Sequence, residues 1–149
     1  MVTTPSSKDR LRLWIRMLRS SRAIENELRE RLRREFNVTL PRFDVLSALY
    51  RQPDGMLMSE LSRYLMVSNG NVTGIIDRLK ADGQVVRTQR AGDRRTSIVR
   101  LTEKGRTEFK AMAAVHETWV DELLGDLMPA DVEKVSNVLH DFNLNWGTR

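Results

Sequence analysis

Three arginines within six residues, Arg90, Arg94 and Arg95, stand at the tip of a hairpin pattern, where a folded core has no use for them. The chemistry open to such a cluster is ionic. Guanidinium groups pair with phosphate, and the narrow, electronegative minor groove of an A·T-rich duplex attracts them. Two β-prone runs, Val85-Val86-Arg87-Thr88 and Ser97-Ile98-Val99-Arg100-Leu101, flank the turn signal Gly92-Asp93. Asp93 is expected to hold that turn and orient Arg95 by a charge-assisted hydrogen bond. Upstream, Ser68, Asn69, Asn71 and Thr73 crowd the start of a short helical segment, with Gly70 and Gly74 leaving room for close approach. Asn pairs bidentately with adenine, and Ser or Thr serves base or phosphate. Ser68 and Asn69 suit a helix cap equally well, whereas Asn71 and Thr73 lie past it. Arg78 suits a phosphate, or an ion pair with Asp77 or Asp82.

Little other chemistry is on offer. The absence of cysteine removes disulfides, thiolate metal sites and thiol redox sensing. His116 and His140 are the two histidines, and neither has neighbours at zinc-site spacing. No Gly-rich phosphate loop or nucleophile–base set stands out, so neither catalysis, a metal nor a cofactor is expected. Asp121, Glu122 and Asp126 read as a solvated helix face.

The net charge of +5 is unevenly spread. Residues 1–36 hold ten basic and five acidic side chains, and residues 78–106 hold nine against three. Residues 107–149 reverse the balance, with three against eight. A solvated surface would mix its signs throughout, so a localised basic excess beside a hairpin is the footprint of a phosphate-binding surface. Double-stranded DNA is the expected partner. No apolar run approaches the roughly 20 residues of a membrane span, and the first residues lack a secretory core. A cytoplasmic location is therefore expected.

These side chains need elements to position them. Leu11, Trp14, Leu18, Ile24, Leu28, Leu32 and Phe36 recur at three- and four-residue steps, which predicts a long amphipathic helix over 7–36 with an arginine-rich polar face. Pro41 opens a second helix reaching Arg51, and Leu57-Met58 is expected to add a very short strand. Helices over 60–66 and 69–82 form a helix-turn-helix, the second entering the major groove. Thr102 caps a helix to about Leu127, and a last helix runs from Ala130 to about Trp146. The fold class is mainly α with a small β-hairpin wing, a winged helix-turn-helix over 37–106. Residues 1–36 and 107–149 form the helical dimerisation region. Its long amphipathic helices would each expose an apolar stripe in isolation, so a homodimer is expected, matching palindromic DNA.

The helix-turn-helix, Asp93-x-Arg95 and Val99-x-Leu101-Thr102-x-x-Gly105 together resemble the MarR family of winged helix-turn-helix regulators, over nearly the whole chain. The resemblance implies a homodimeric transcriptional regulator, usually a repressor, whose wings grip minor grooves beside a pseudo-palindromic operator. It also implies an effector pocket formed by the first, second and fifth helices. The run Ser68-Asn69-Gly70-Asn71-Val72-Thr73-Gly74 and the element His116-Glu117-x-Trp119 are similar to members controlling aromatic compound catabolism, some of which sense aryl-CoA thioesters. The expected effector is thus a small organic molecule, an aromatic acid or aryl-CoA thioester. Trp14, Phe43, Met112, His116 and Trp119 suit its apolar part, and Arg22 its anionic group. The same stripe also fits ordinary core packing. Two rivals share parts of this pattern. A nonspecific architectural DNA binder without effector needs the basic wing but no Asn- and Thr-bearing reading helix, and a protein adaptor needs no arginine-tipped wing.

Overall fold

The computed structural model describes residues 4–65, 69–90 and 93–146. Among the described residues, six helices and three strands follow in the order α1 (Ser7–Phe36), α2 (Leu40–Tyr50), β1 (Met56–Leu57), α3 (Met58–Leu65), α4 (Asn69–Ala81), β2 (Val85–Arg90), β3 (Asp93–Leu101), α5 (Glu103–Leu123) and α6 (Pro129–Trp146). The architecture is mainly α with a small antiparallel wing, as the sequence pattern predicts. The chain divides into two compact units, Met1–His116 and Glu117–Arg149, the division falling within α5.

In the first unit the core is built around α2. Leu40, Phe43, Val45, Leu46, Ala48 and Leu49 are all buried, so this helix is apolar nearly all round. Thr39 caps it by accepting from the Arg42 backbone N–H at 3.4 Å, and Pro41 pre-sets its first turn. Leu28 and Leu32 from α1, Leu61 from α3, Val72, Ile76 and Leu79 from α4, and Phe109 and Met112 from α5 complete the core. Fully burying one such side chain stabilises by about 1.5–3 kcal/mol. A capping box closes the start of α1: Ser6 accepts from Asp9 N–H, and the Asp9 carboxylate accepts from Ser6 N–H. Asn37, left-handed at φ 52°, ends it.

The sheet has the order β1-β3-β2, with Met56 opposite Val99 and Val85 opposite Leu101. Gly55 lets β1 approach β3: at φ +93°, a Cβ there would lie 2.6 Å from Ile98 Cγ2 and 2.7 Å from the Val99 carbonyl oxygen. Most boundaries shift by a residue or two from expectation, and three shifts have a local cause. The short strand is Met56–Leu57, because Met58 already begins α3. The wing strands extend to Arg90 and from Asp93, so Asp93 opens β3 opposite Arg90. The fifth helix ends at Leu123 rather than near Leu127, where Gly125 and Leu127 N–H groups turn back onto Glu122 and Leu124 in a tight turn before Pro129.

The second unit comprises the end of α5 and α6. No residue of α6 is buried. Phe142 and Trp146 stack at 5.6 Å between centroids, and Val138 and Leu144 are each 60% exposed. The first half of α1, in the other unit, likewise exposes Leu11, Leu13 and Trp14.

Candidate nucleic-acid interface

Helix α4 divides cleanly by period. Val72, Ile76 and Leu79, at i, i+4 and i+7, are buried. The opposite side carries Gly70, Asn71, Thr73, Gly74, Asp77 and Arg78, all exposed. A Cβ placed on Gly70 or Gly74 would meet nothing within 4 Å, so packing within the chain does not require glycine at either position. The result is a low, polar stripe flanked by side chains that donate and accept hydrogen bonds. Asp77 belongs to it, although the sequence pattern marks it only as an ion-pair partner; a carboxylate there can accept from cytosine N4. Arg78 donates instead to Asp82, Nε to Oδ2 at 3.3 Å, and Asp82 also lies 3.8 Å from Arg42.

The wing is placed by its backbone. Residues 85–90 and 93–101 pair antiparallel, with an irregularity between Gln89 and Arg90. Ser68 and Gly92 lie outside the described residues, as do the side chains of Asn69, Arg90, Asp93, Arg94 and Arg95.

The Leu101-Thr102-x-x-Gly105 motif is a splice between α4 and the wing. After α4, Gly83 (φ +74°) and Gln84 donate to the Lys80 and Leu79 carbonyls at 3.0 and 2.9 Å, a Schellman closure. Thr102 Oγ1 donates to the Gly83 carbonyl at 2.6 Å and accepts from Gly105 N–H at 3.0 Å, capping α5. Gly105 is buried, and a Cβ on it would overlap the Gln84 carbonyl. Gln84 Nε2 also donates to Glu108 at 2.7 Å, and Lys104 Nζ to the Asp82 carbonyl at 2.8 Å. The end of α4, the start of β2 and the start of α5 are therefore fixed to one another.

A second concavity of about 490 Å³ lies among α1, α2 and the middle of α5. Ser21, Ile24, Glu25 and Leu28 form one wall, Leu40, Phe43, Asp44 and Ser47 another, and His116 closes it. The Phe43 and His116 rings are 4.5 Å apart. Burial lowers the His116 pKa, favouring the neutral ring. Burial, with the Glu25 charge second, pushes the Asp44 carboxyl up to about 6. Of the residues expected at an effector site, the structure brings Phe43 and His116 together here. Met112 is buried and lines a separate groove with Arg42 and Arg78. Trp14 and Arg22 are exposed on α1 and line neither concavity, and Trp119 belongs to the second unit. Glu25 and Asp44 carry no sequence signal, since a carboxylate inside an amphipathic helix reads as solvated until its burial is known. No group of three or more His, Asp or Glu among the described residues is placed to hold a metal ion, and no described helix is long and apolar enough to cross a membrane.

Residues 36–96, which carry the helix-turn-helix and most of the wing, match the family model described as MarR family. A MarR family transcriptional regulator from Silicibacter pomeroyi superposes with a TM-score of 0.78 at 32% identity, over 97% of this chain and 99% of that one. The chain belongs to the MarR family. It is thus a DNA-binding transcriptional regulator and not an enzyme. The transcriptional activatory protein BadR of Rhodopseudomonas palustris is 36% identical over 106 residues, 69% of this chain; the match spans 59% of BadR's own length. At 23% identity, the structure of Bordetella bronchiseptica BpsR, whose DNA binding is regulated by 6-hydroxynicotinic acid, shares the fold with a TM-score of 0.78 over 89% of this chain and 98% of that one.

Proposed function

We propose that this MarR-family regulator is a cytoplasmic homodimer that reads a pseudo-palindromic operator and releases it when a small aromatic acid or aryl-CoA thioester enters the α1–α2–α5 cleft. Ser68, Asn69, Asn71 and Thr73 read the major groove, Arg78 meets phosphate, and Arg90, Arg94 and Arg95, the last oriented by Asp93, grip the flanking minor groove. The observation that carries the reading is the exposed stripe of α4, where Gly70 and Gly74 leave open space between polar side chains. An architectural binder gains nothing from such a stripe, because backbone contacts alone supply its affinity.

Dimerisation through residues 1–36 and 107–149 is supported by the exposed apolar side chains of α1 and α6, which a second copy would remove from water. An aromatic effector is supported by the Phe43–His116 ring pair in the cleft and by the ligand of the similarly folded BpsR. A carboxylate ligand beside Asp44 and Glu25 adds like charge, so its affinity rises as pH falls toward 6 and Asp44 takes up a proton. The first reading makes the protein a repressor; BadR's activatory role favours a second, in which the operator-bound protein promotes transcription instead of blocking it.

The test is selection of genomic fragments by the purified protein at a fixed, roughly physiological salt concentration. One pseudo-palindrome recovered beside a few operons is the expected result, and the neighbouring genes then nominate ligands to titrate. Diffuse recovery without a motif would refute the operator reading in favour of nonspecific binding.

A further inference from the structure

A crevice of about 500 Å³ runs alongside the first turns of α4, and the two charged side chains that line it are both cationic. Arg29 and Arg33 come from one face of α1, and Asn71 and Ile75 from α4. The floor is the start of α2, at Thr39, Leu40 and Pro41. We propose that this crevice seats a DNA sugar-phosphate strand, with Arg29 and Arg33 as phosphate ligands that extend the footprint beyond the reading helix and wing. The proposal rests on the operator-binding reading of α4.

Geometry supplies the first argument. An α-helix with its side chains is about 10–12 Å across, and the major groove is about 12 Å wide. A helix seated there is bordered by phosphate ridges, so a concavity that shares Asn71 with the groove-facing stripe opens onto one of them. Charge supplies the second. The carboxylates Glu25 and Asp44 line a neighbouring crevice that shares Arg29, Leu40, Pro41 and Ile75, but neither lines this one.

Both arginines have donors to spare. Arg29 gives one N–H to Asn26 at 2.7 Å and another to Glu25 at 3.3 Å, and Arg33 gives one to Glu30 at 3.1 Å. These are single-point contacts from a group with five donors. The arginine side chains are 47% and 67% exposed, a setting in which an ion pair holds its partner weakly. A phosphate can therefore be accepted without breaking a buried network. Leu40, Pro41 and Ile75 provide apolar walls of the kind a deoxyribose ring packs against.

The experiment measures the salt dependence of binding to the selected operator and to random duplex. It compares the parent with Arg29→Gln/Arg33→Gln, and with Arg12→Gln as a charge control near the start of α1. Arg12 is likewise exposed and paired along its helix, with Asp9 at 3.1 Å. Two lost phosphate contacts reduce the slope of log K against log salt by about 2, and affinity at 0.1 M salt on the order of 60-fold. Operator and random DNA lose affinity in the same proportion, because phosphate contacts carry no sequence information. Scanning single methylphosphonates along the operator locates a position where the parent loses affinity and the double variant does not. An unchanged slope, or an equal loss from Arg12→Gln, overturns the proposal while leaving the operator reading intact. Failure of the parent to bind any DNA refutes that reading and the crevice with it.

Discussion

Gly74→Ala separates the demands of folding from those of DNA recognition at one atom. Gly74 lies inside the 13-residue helix α4, its φ is not in the left-handed region, and an added Cβ would meet nothing within 4 Å. Helix propensity then acts unopposed: alanine is favoured over glycine in a helix interior by about 1 kcal/mol. For a chain of this size that raises the melting temperature by roughly 2–4 °C, measured at one protein concentration so that association does not intrude. DNA binding moves the other way. The methyl stands on the exposed stripe between Thr73 and Asp77, where in the proposed complex the backbone comes close to base edges. Holding the helix off by a methyl radius is comparable to spoiling one base pair of a site, about 1–3 kcal/mol or roughly 5- to 150-fold in affinity. Fluorescence anisotropy at fixed salt reads the second effect and thermal melting the first. A variant that is more stable and binds operator as well as the parent would show that this stripe does not face DNA. A variant that is less stable would show that the space over Gly74 is filled in the folded protein.

Gly105→Ala should do the reverse, since its Cβ collides with the Gln84 backbone carbonyl; a loss of about 1–3 kcal/mol, seen as a lower denaturation midpoint, is expected. Asp44→Asn should stabilise the protein at neutral pH and not at pH 4. Burial pushes the folded carboxyl up to about 6, against 3.8 for a free aspartate, so the chain loses stability as pH rises through this window and the buried group must ionise. The full shift corresponds to about 3 kcal/mol, cut to about 1 by solvent screening at this half-exposed site. Equal denaturation midpoints for parent and variant at pH 4 and 8 would contradict that account. Val138→Asp, on the exposed apolar side of α6, should leave helix content intact but convert the proposed dimer to monomer in sedimentation, with operator affinity down at least 100-fold as one half-site is lost.

Most elements were legible because local chemistry decides them. Pro41 marks the start of α2, β-branched runs mark the wing, and Thr102 caps α5 through its own hydroxyl. The exposed stripe of α4 was legible for the same reason: a buried face at Val72, Ile76 and Leu79 fixes which residues point away from it. The cleft was harder to read. Periodicity assigns Trp14 and Phe43 to apolar stripes on their helices, but not the neighbour each stripe meets; Phe43 packs against Phe109 and His116, while Trp14 is 54% exposed. Glu25, Asp44, Arg29 and Arg33 all look like solvated helix charges in sequence. Only the packing of α1 on α2 and α4 turns two of them into the walls of a cleft and two into the walls of a crevice.

Those concavities share a residue, and that bears on how a ligand would be felt at the DNA. Leu40, the first residue of α2, lines the Phe43–His116 cleft, the Arg29–Arg33 crevice and the small crevice between them that holds Asp44. A close-packed helix start cannot yield on one side alone, because interiors at crystal-like density transmit displacement rather than absorb it. A shared wall is nevertheless only a spatial fact. It becomes a switch if the ligand binds two positions of α2 with different affinity, and the operator prefers one of them. Reciprocity then requires operator DNA to weaken ligand binding by the same factor that ligand weakens the operator. Measuring ligand affinity with and without operator therefore tests the coupling from the side that needs no knowledge of the regulated genes. Equal affinities would mean that cleft and operator are not coupled through α2, whatever occupies the cleft.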